Sequence, residues 1–183
     1  PVWDFNIALG NINYGDNWYT DGWLGIRNYG WFGRLFEDPA FERRWMDRWA
    51  ELREGVLGTP KLLQDIDQTA ALLAEAADRN FDRWDILGTY VWPNADGWQT
   101  RTTYQSEVDY LKDWVDDRTA WIDSQFLPRV DFSHDGGDVP SGYELQMSAP
   151  YGTIYYTLDG SDPADGGTEI GPGESIPLSG TQQ

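Results

Sequence analysis

Asp4 is the side chain in this sequence that is best placed to do chemistry. It lies in an otherwise apolar, strand-like run, Trp3-Asp4-Phe5. A buried carboxylate without a partner is strongly disfavoured, so it needs a metal ion or several hydrogen-bond donors. The functional interpretation is a metal-binding aspartate, and the alternative is an aspartate that accepts backbone N–H bonds at a turn.

A second group of carboxylates, Asp159, Asp162 and Asp165, lies near the carboxyl end. Oxygen ligands at short spacing suit Ca²⁺. However, the spacing of three and three lacks the final bidentate Glu of an EF-hand loop. The Asp-Gly and Asp-Pro pairs in this region are also typical of turns, so both interpretations stay open.

The 11 tryptophans suggest carbohydrate binding, since flat aromatic faces stack on sugar rings. Trp45 and Trp49 share a helical stripe with other apolar residues, which favours a core position. The better sugar-binding candidates lie among Gly, Asn and Asp residues: Trp18, Trp23 and Trp98. The single histidine, His134, stands beside Ser133 and Asp135 and is interpreted as an exposed linker residue.

The elements that position these residues are predicted from periodicity and capping signals. Residues 1–30 are rich in Gly, Asn and aromatic residues, which indicates turns and a small β element. A helix should start at Asp38-Pro39 and stop at Gly58. Its apolar stripe is Phe41, Trp45, Trp49, Leu52 and Val56.

Two further helices are predicted beyond Gly58. Thr59-Pro60 repeats the start signal, and the chain should stay helical through Phe81 and Trp84. Its buried face is Leu62, Ile66, Ala70, Leu73 and Ala77. After a loop over residues 88–100, a capping box of Thr102 and Gln105 should open a helix that ends near Pro128. Its stripe is Tyr104, Val108, Leu111, Val115 and Ile122.

The composition changes sharply near residue 130. Residues 1–129 hold all 11 tryptophans and all 13 basic residues, whereas residues 130–183 hold nine acidic residues and none of either kind. Tyr143, Leu145 and Met147 alternate with polar residues, which predicts a strand. The sequence therefore predicts an α+β protein of two units, 1–129 with three antiparallel helices and 130–183 with antiparallel strands.

The charge and the composition exclude several classes of protein. The chain has 183 residues, a formal charge of -18 and no cysteine. A surface this acidic repels phosphate backbones and anionic lipids, so nucleic acid and membrane surfaces are not expected partners. The lack of cysteine excludes disulfide scaffolds and thiol nucleophiles, and no apolar run is long enough to span a membrane.

Residues 1–11, PVWDFNIALGN, resemble the WDFD segment of the spore coat protein H (CotH) kinase family, a group of atypical protein kinases. Further matching motifs follow in order up to about residue 127: Trp31-Phe32, Leu35-Phe36, 38–41, 48–53, 80–84 and 104–121. The resemblance implies a kinase C-lobe fold for the first unit, with Mg²⁺ and ATP as cofactors of the intact parent and a protein hydroxyl as phosphoryl acceptor.

The resemblance also assigns roles to two residues. Asp4 corresponds to the Mg²⁺-holding aspartate of a kinase Asp-Phe-Gly motif. Asn6 stands where the family usually has a second aspartate, so its part in metal binding is doubtful. The family's other catalytic groups precede this motif. The 183 residues alone are therefore expected to be inactive, as the carboxyl-terminal part of a larger kinase.

Residues 141–163 resemble the hallmark of the chitobiase/β-hexosaminidase carboxyl-terminal domain, an immunoglobulin-like sandwich, of which only part is present. Both resemblances imply a secreted or cell-surface bacterial protein. The rival hypothesis is an accessory module without enzymatic activity that binds cell-surface polysaccharide through Trp18, Trp23 or Trp98.

Overall fold

The computed structural model describes residues 5–23, 25–149, 152–171 and 173–179. The chain forms two compact units, Pro1–Phe126 and Leu127–Gln183. The described residues contain five α-helices and small antiparallel sheets, so the prediction of an α+β fold is confirmed. None of the helices in these ranges is both long and apolar enough to cross a membrane.

The predicted N-terminal β element is wrong for the residues that the structure describes. Helix α1, Phe5–Ala8, occupies this position, and no strand is found in the described part of the first unit. The helix ends because Gly10 adopts a φ of +82°. The Asn11 N–H then donates back to the Asn6 carbonyl at 3.0 Å, which is the Schellman closure of a helix.

Helix α2, Gly30–Phe36, precedes helix α3, Pro39–Arg53. The predicted start of α3 is confirmed, since the Asp38 carboxylate accepts a hydrogen bond from the Ala40 N–H at 2.9 Å. Its predicted end is too late. The chain leaves the helix at Arg53, whose guanidinium bonds the Leu57 carbonyl, and Val56 lies beyond the helix, 63% exposed, instead of in its stripe.

Helix α4 spans Thr59–Arg83 and helix α5 spans Tyr104–Gln125. Their contacts show antiparallel packing. The Thr59 hydroxyl at the start of α4 meets the Thr119 hydroxyl near the end of α5, and the Tyr104 hydroxyl at the start of α5 donates to the Ala70 carbonyl further along α4. The predicted capping box is displaced by one residue. The N-cap of α5 is Thr103, whose hydroxyl accepts from the Ser106 N–H while the Ser106 hydroxyl accepts from the Thr103 N–H.

The second unit contains five short strands among its described residues. They are β1 Asp131–Phe132, β2 Tyr143–Ser148, β3 Ile154–Tyr156, β4 Thr168–Ile170 and β5 Ser175–Leu178. One sheet has the order β1-β2-β5, the other pairs β3 with β4, and all pairings are antiparallel. The predicted alternation in β2 is confirmed, since Met147 joins Ile170 and Ile176 in the core.

Candidate metal-binding segment

Asp4 lies outside the described residues, so the segment is described from Asn6 onward. The Asn6 side chain is exposed, and the Asn6 main-chain carbonyl accepts from the Leu9 and Asn11 N–H groups. Within the described ranges, no three His, Asp or Glu side chains form a group that could hold a metal ion. An exposed amide oxygen can accept a hard cation, but a site here depends on Asp4 for its charge.

Helix α5 holds the chain that follows this segment. Three of its side chains, spaced four residues apart on one face, donate to backbone carbonyls of residues 10–22. The Tyr110 hydroxyl donates to the Gly10 carbonyl at 3.2 Å, and the Trp114 indole N–H donates to the Trp18 carbonyl at 2.9 Å. Arg118 donates to the carbonyls of Thr20 and Gly22 at 3.0 and 2.8 Å. We name Tyr110, Trp114 and Arg118 the donor stripe.

Gly10 is where the segment and the helix approach most closely. A Cβ atom built on Gly10 would lie 2.4 Å from the Trp114 Nε1 atom, well inside van der Waals contact. The Trp114 side chain is buried, and the neighbouring Ile12 is fully buried. Only glycine accommodates both the positive φ and the indole, so the end of α1 is fixed against α5.

The donor stripe and the neighbouring Arg101 include partly or fully buried titratable groups. The Arg101 side chain is buried, and its guanidinium lies 4.2 Å from the centroid of the Tyr110 ring. Burial raises the pKa of Tyr110, opposed by the Arg101 charge and reinforced by Glu107. Burial lowers the pKa of Arg118, and Asp21 opposes that shift. Tyr110 therefore stays a neutral hydrogen-bond donor at neutral pH.

The loop between α4 and α5 covers the same segment from another side. Arg101 donates to the carbonyls of Ala95 and Asp96, both at 3.0 Å, and to the Glu107 carboxylate at 2.9 Å. The Asn13 amide donates to the Tyr90 hydroxyl at 2.7 Å. Residues 10–22 are thus held by α5 and by this loop.

A cavity of about 720 Å³ opens between α4 and α5, and Ala8 and Leu9 reach its wall. Its lining is mainly apolar, and the charged residues in it are Asp65, Glu107 and Arg118. Two of these three charges are negative.

The comparisons with known proteins identify the first unit. The family described as CotH kinase protein matches residues 1–122, which is more than half of the chain. The chain belongs to the CotH kinase family. No curated protein and no solved structure matches it.

The structure does not bring the sugar-binding candidates of this CotH family member together on an exposed face. Trp18, Trp23 and Trp98 are all half-buried. Trp23 packs edge-on against Trp45 and Trp121, with ring centroids 5.1 and 4.8 Å away. The tryptophans with more than half of their surface exposed, among those described, are Trp31, Trp84 and Trp92.

In the second unit, two of the three calcium candidates have backbone partners. The Asp159 carboxylate accepts from the N–H and the hydroxyl of Ser161, which lower the pKa of Asp159. The Asp162 carboxylate accepts from the Ala164 N–H and caps a short 3₁₀ helix. These contacts are those expected of turn residues. His134 is exposed, as predicted, with its ring edge-on to Tyr143.

The donor stripe and Arg101 were not predicted from the sequence. The apolar stripe predicted for α5 lies on a different set of positions, which left Tyr110, Trp114 and Arg118 without a role. Their spacing of four was the available signal, because large side chains with polar tips at i, i+4 and i+8 form a second helix face. Nothing in the sequence around Arg101 indicated that it would be buried.

Proposed function

We propose that this chain supplies the metal-holding segment of a CotH-type protein kinase, which transfers a phosphoryl group from ATP to a protein hydroxyl. The observation that carries the proposal is the family match over residues 1–122, which include Asp4 and Asn6. The donor stripe supports it, because catalysis needs the groups near the reacting phosphate to be held in place.

In this proposal Asp4 is the principal ligand of Mg²⁺ and Asn6 is a secondary one. When bound, the ion supplies positive charge that stabilises the phosphate oxygens during transfer. Tyr110, Trp114 and Arg118 act as positioning residues, since they hold the main chain that follows the ligands. The net charge of -18 on the chain favours attraction of a cation over that of a free phosphate.

We further propose a state of activity for the chain, a domain type for the second unit and a cellular location for the parent protein. The 183 residues alone do not transfer phosphate, because Asp4 is the only one of the catalytic groups implied by the resemblance that they contain. The second unit is part of a chitobiase-type, immunoglobulin-like domain, which is supported by the hallmark over residues 141–163. The parent is a secreted or cell-surface bacterial protein.

Metal binding is tested with Mn²⁺, a paramagnetic substitute for Mg²⁺, titrated into the 183-residue chain and followed by electron paramagnetic resonance. We expect Asp4→Asn to weaken Mn²⁺ binding at least tenfold, because the neutral amide loses the charge that a hard cation prefers. The matched control is Asp135→Asn, which removes the same charge from an exposed position in the second unit. Equal Mn²⁺ affinities for the two variants would contradict the assignment.

Phosphoryl transfer is tested separately with γ-labelled ATP and a generic protein acceptor. We expect no labelled product from the 183-residue chain. Labelled product from the 183-residue chain that disappears in Asp4→Asn would show that the chain holds a complete active site. That result would overturn the proposed inactivity and would leave the assignment of Asp4 as a metal ligand intact.

A further inference from the structure

Two exposed aromatic rings of the first unit stack on one another. The rings of Tyr14 and Trp92 are inclined by 9° to one another, with centroids 6.0 Å apart. Tyr14 is 46% exposed and Trp92 is 67% exposed. Exposing so much apolar surface costs free energy that burial would recover, so parallel exposed rings call for an explanation.

Hydrogen bonds tie together the two segments that carry these rings. Tyr14 follows Asn13, whose amide donates to the Tyr90 hydroxyl at 2.7 Å, and Tyr90 is two residues before Trp92. Next along the loop, the Asn94 N–H donates to the Val91 carbonyl at 2.8 Å. Ala95 is almost fully buried, and its carbonyl accepts from Arg101. A surface that is already ordered loses little conformational entropy when it binds a ligand.

The polar groups beside the rings are neutral and can bind hydroxyl groups. The Tyr90 hydroxyl accepts from Asn13 and still carries its own O–H donor. The Asn13 amide carries a carbonyl acceptor as well as the N–H that it donates. Aromatic faces with a few fixed donors and acceptors at their edge give a bound ring both contact area and orientation.

The net charge of the chain and the uncharged polar groups beside the rings favour a neutral ligand. A net charge of -18 repels the phosphates of a nucleic acid, which excludes stacked bases as the natural ligand. A cationic side chain also binds over a single aromatic face, so binding of a lysine-rich peptide is one of the outcomes of the test below. A sugar ring presents an apolar C–H face of matching flatness and hydroxyl groups at its edge.

We propose that Tyr14, Trp92 and the Asn13–Tyr90 pair form a binding site for a neutral pyranose ring of a polysaccharide. The exposed outward face of Trp92, backed by the Tyr14 ring, stacks on the sugar, and the Asn13 amide and the Tyr90 hydroxyl bond its hydroxyl groups. This site differs from the one predicted at Trp18, Trp23 and Trp98. It does not depend on phosphoryl transfer or on a bound metal.

The test is isothermal titration calorimetry of the 183-residue chain with three neutral probes: cellohexaose, fully N-acetylated chitohexaose and mannohexaose. We expect at least one of them to bind, and Trp92→Ala to weaken that binding at least tenfold. Trp92→Phe should retain part of the affinity, because a smaller ring still stacks. The matched control is Trp31→Ala, since Trp31 is 68% exposed and stacks on Phe32 elsewhere in the unit. Its affinity should stay within twofold of the parent chain.

Circular dichroism melting shows whether each variant is still folded. If Trp92→Ala unfolds, Tyr14→Ala gives the same test on the partner ring, with Tyr29→Ala, exposed and distant in sequence, as its control. Absence of binding to all three hexasaccharides at millimolar concentration overturns the proposal. An equal loss of hexasaccharide affinity in Trp92→Ala and Trp31→Ala also overturns it. Binding of a lysine-rich peptide at Trp92, without binding of any hexasaccharide, does the same.

Discussion

The indole N–H of Trp114 donates to the carbonyl oxygen of Trp18 at 2.9 Å, although the two residues are 96 positions apart. The same indole lies against the Cα of Gly10, so one side chain of α5 fixes two points of the segment that follows Asn6. Disturbing this contact should therefore disturb both the stability of the first unit and the position of the segment.

We expect Trp114→Phe to lower the free energy of unfolding by about 1–3 kcal/mol, because the Trp18 carbonyl loses its donor. Urea denaturation followed by circular dichroism measures the change. The matched control is Trp31→Phe at an exposed position, which should stay within about 0.5 kcal/mol of the parent chain. Similar losses in both variants would mean that the Trp114 bond contributes little.

Gly10→Ala should be more destabilising than Gly22→Ala. Both glycines have a φ of +82°, so both variants carry the same backbone strain. Only the new Cβ at Gly10 meets another group, since nothing lies within 4 Å of the Cβ position at Gly22. We expect an additional loss of about 1–3 kcal/mol for Gly10→Ala, measured by urea denaturation. Equal losses would show that Trp114 moves aside without cost.

The carboxylate of Asp123 joins α3 to the end of α5. It accepts from the Trp49 indole at 2.8 Å and from the Arg53 guanidinium, at 2.8 Å for the shortest of three contacts. We expect Asp123→Ala to cost about 2–3 kcal/mol, because it leaves both donors without this partner. The control is Asp65→Ala, which breaks an exposed i, i+4 pair with Lys61 and should cost about 0.5 kcal/mol or less. Thermal unfolding measures both variants, and comparable losses of stability in Asp123→Ala and Asp65→Ala would contradict this prediction.

Stability should fall at alkaline pH through Tyr110. Burial raises its pKa above the ordinary value of 10.0, so the folded state holds the proton more tightly than the unfolded state does. The resulting stabilisation is complete below pH 10.0 and is lost as the pH rises through the raised pKa. Unfolding free energies between pH 8 and 11 should fall less steeply in Tyr110→Phe than in the parent chain.

The control for this pH dependence is Tyr19→Phe, because Tyr19 is 51% exposed. Its profile should follow that of the parent chain. A Tyr110→Phe profile with the same slope as the parent would show that ionisation of this phenol does not affect folding.

Local signals in the sequence predicted the three long helices well. The Asp38-Pro39 and Thr59-Pro60 starts are encoded within a few residues, and both helices begin there. The end of α3 was predicted too late, because its position depends on the Arg53 side chain and its partners Leu57, Thr59 and Asp123. One of these partners is 70 residues away, so no local pattern contains it.

The surroundings of the segment were predictable only in part. The Gly-, Asn- and aromatic-rich composition of residues 1–30 indicated a small β element, but a helix forms over Phe5–Ala8 and is closed by the Gly10 backbone and the Asn11 to Asn6 hydrogen bond. Which tryptophans face solvent was also not predictable from the residues beside them. Trp23 lies in a glycine-rich loop yet packs on Trp45 and Trp121, because its neighbours come from two distant helices.

The hydrogen bonds of the donor stripe to residues 10–22 end on main-chain oxygens, those of Gly10, Trp18, Thr20 and Gly22. Every residue type carries such a carbonyl, so these bonds do not depend on which side chains occupy positions 18, 20 and 22. An inserted or deleted residue would instead place the wrong carbonyl opposite each donor. For these contacts, the segment is constrained in length far more than in composition.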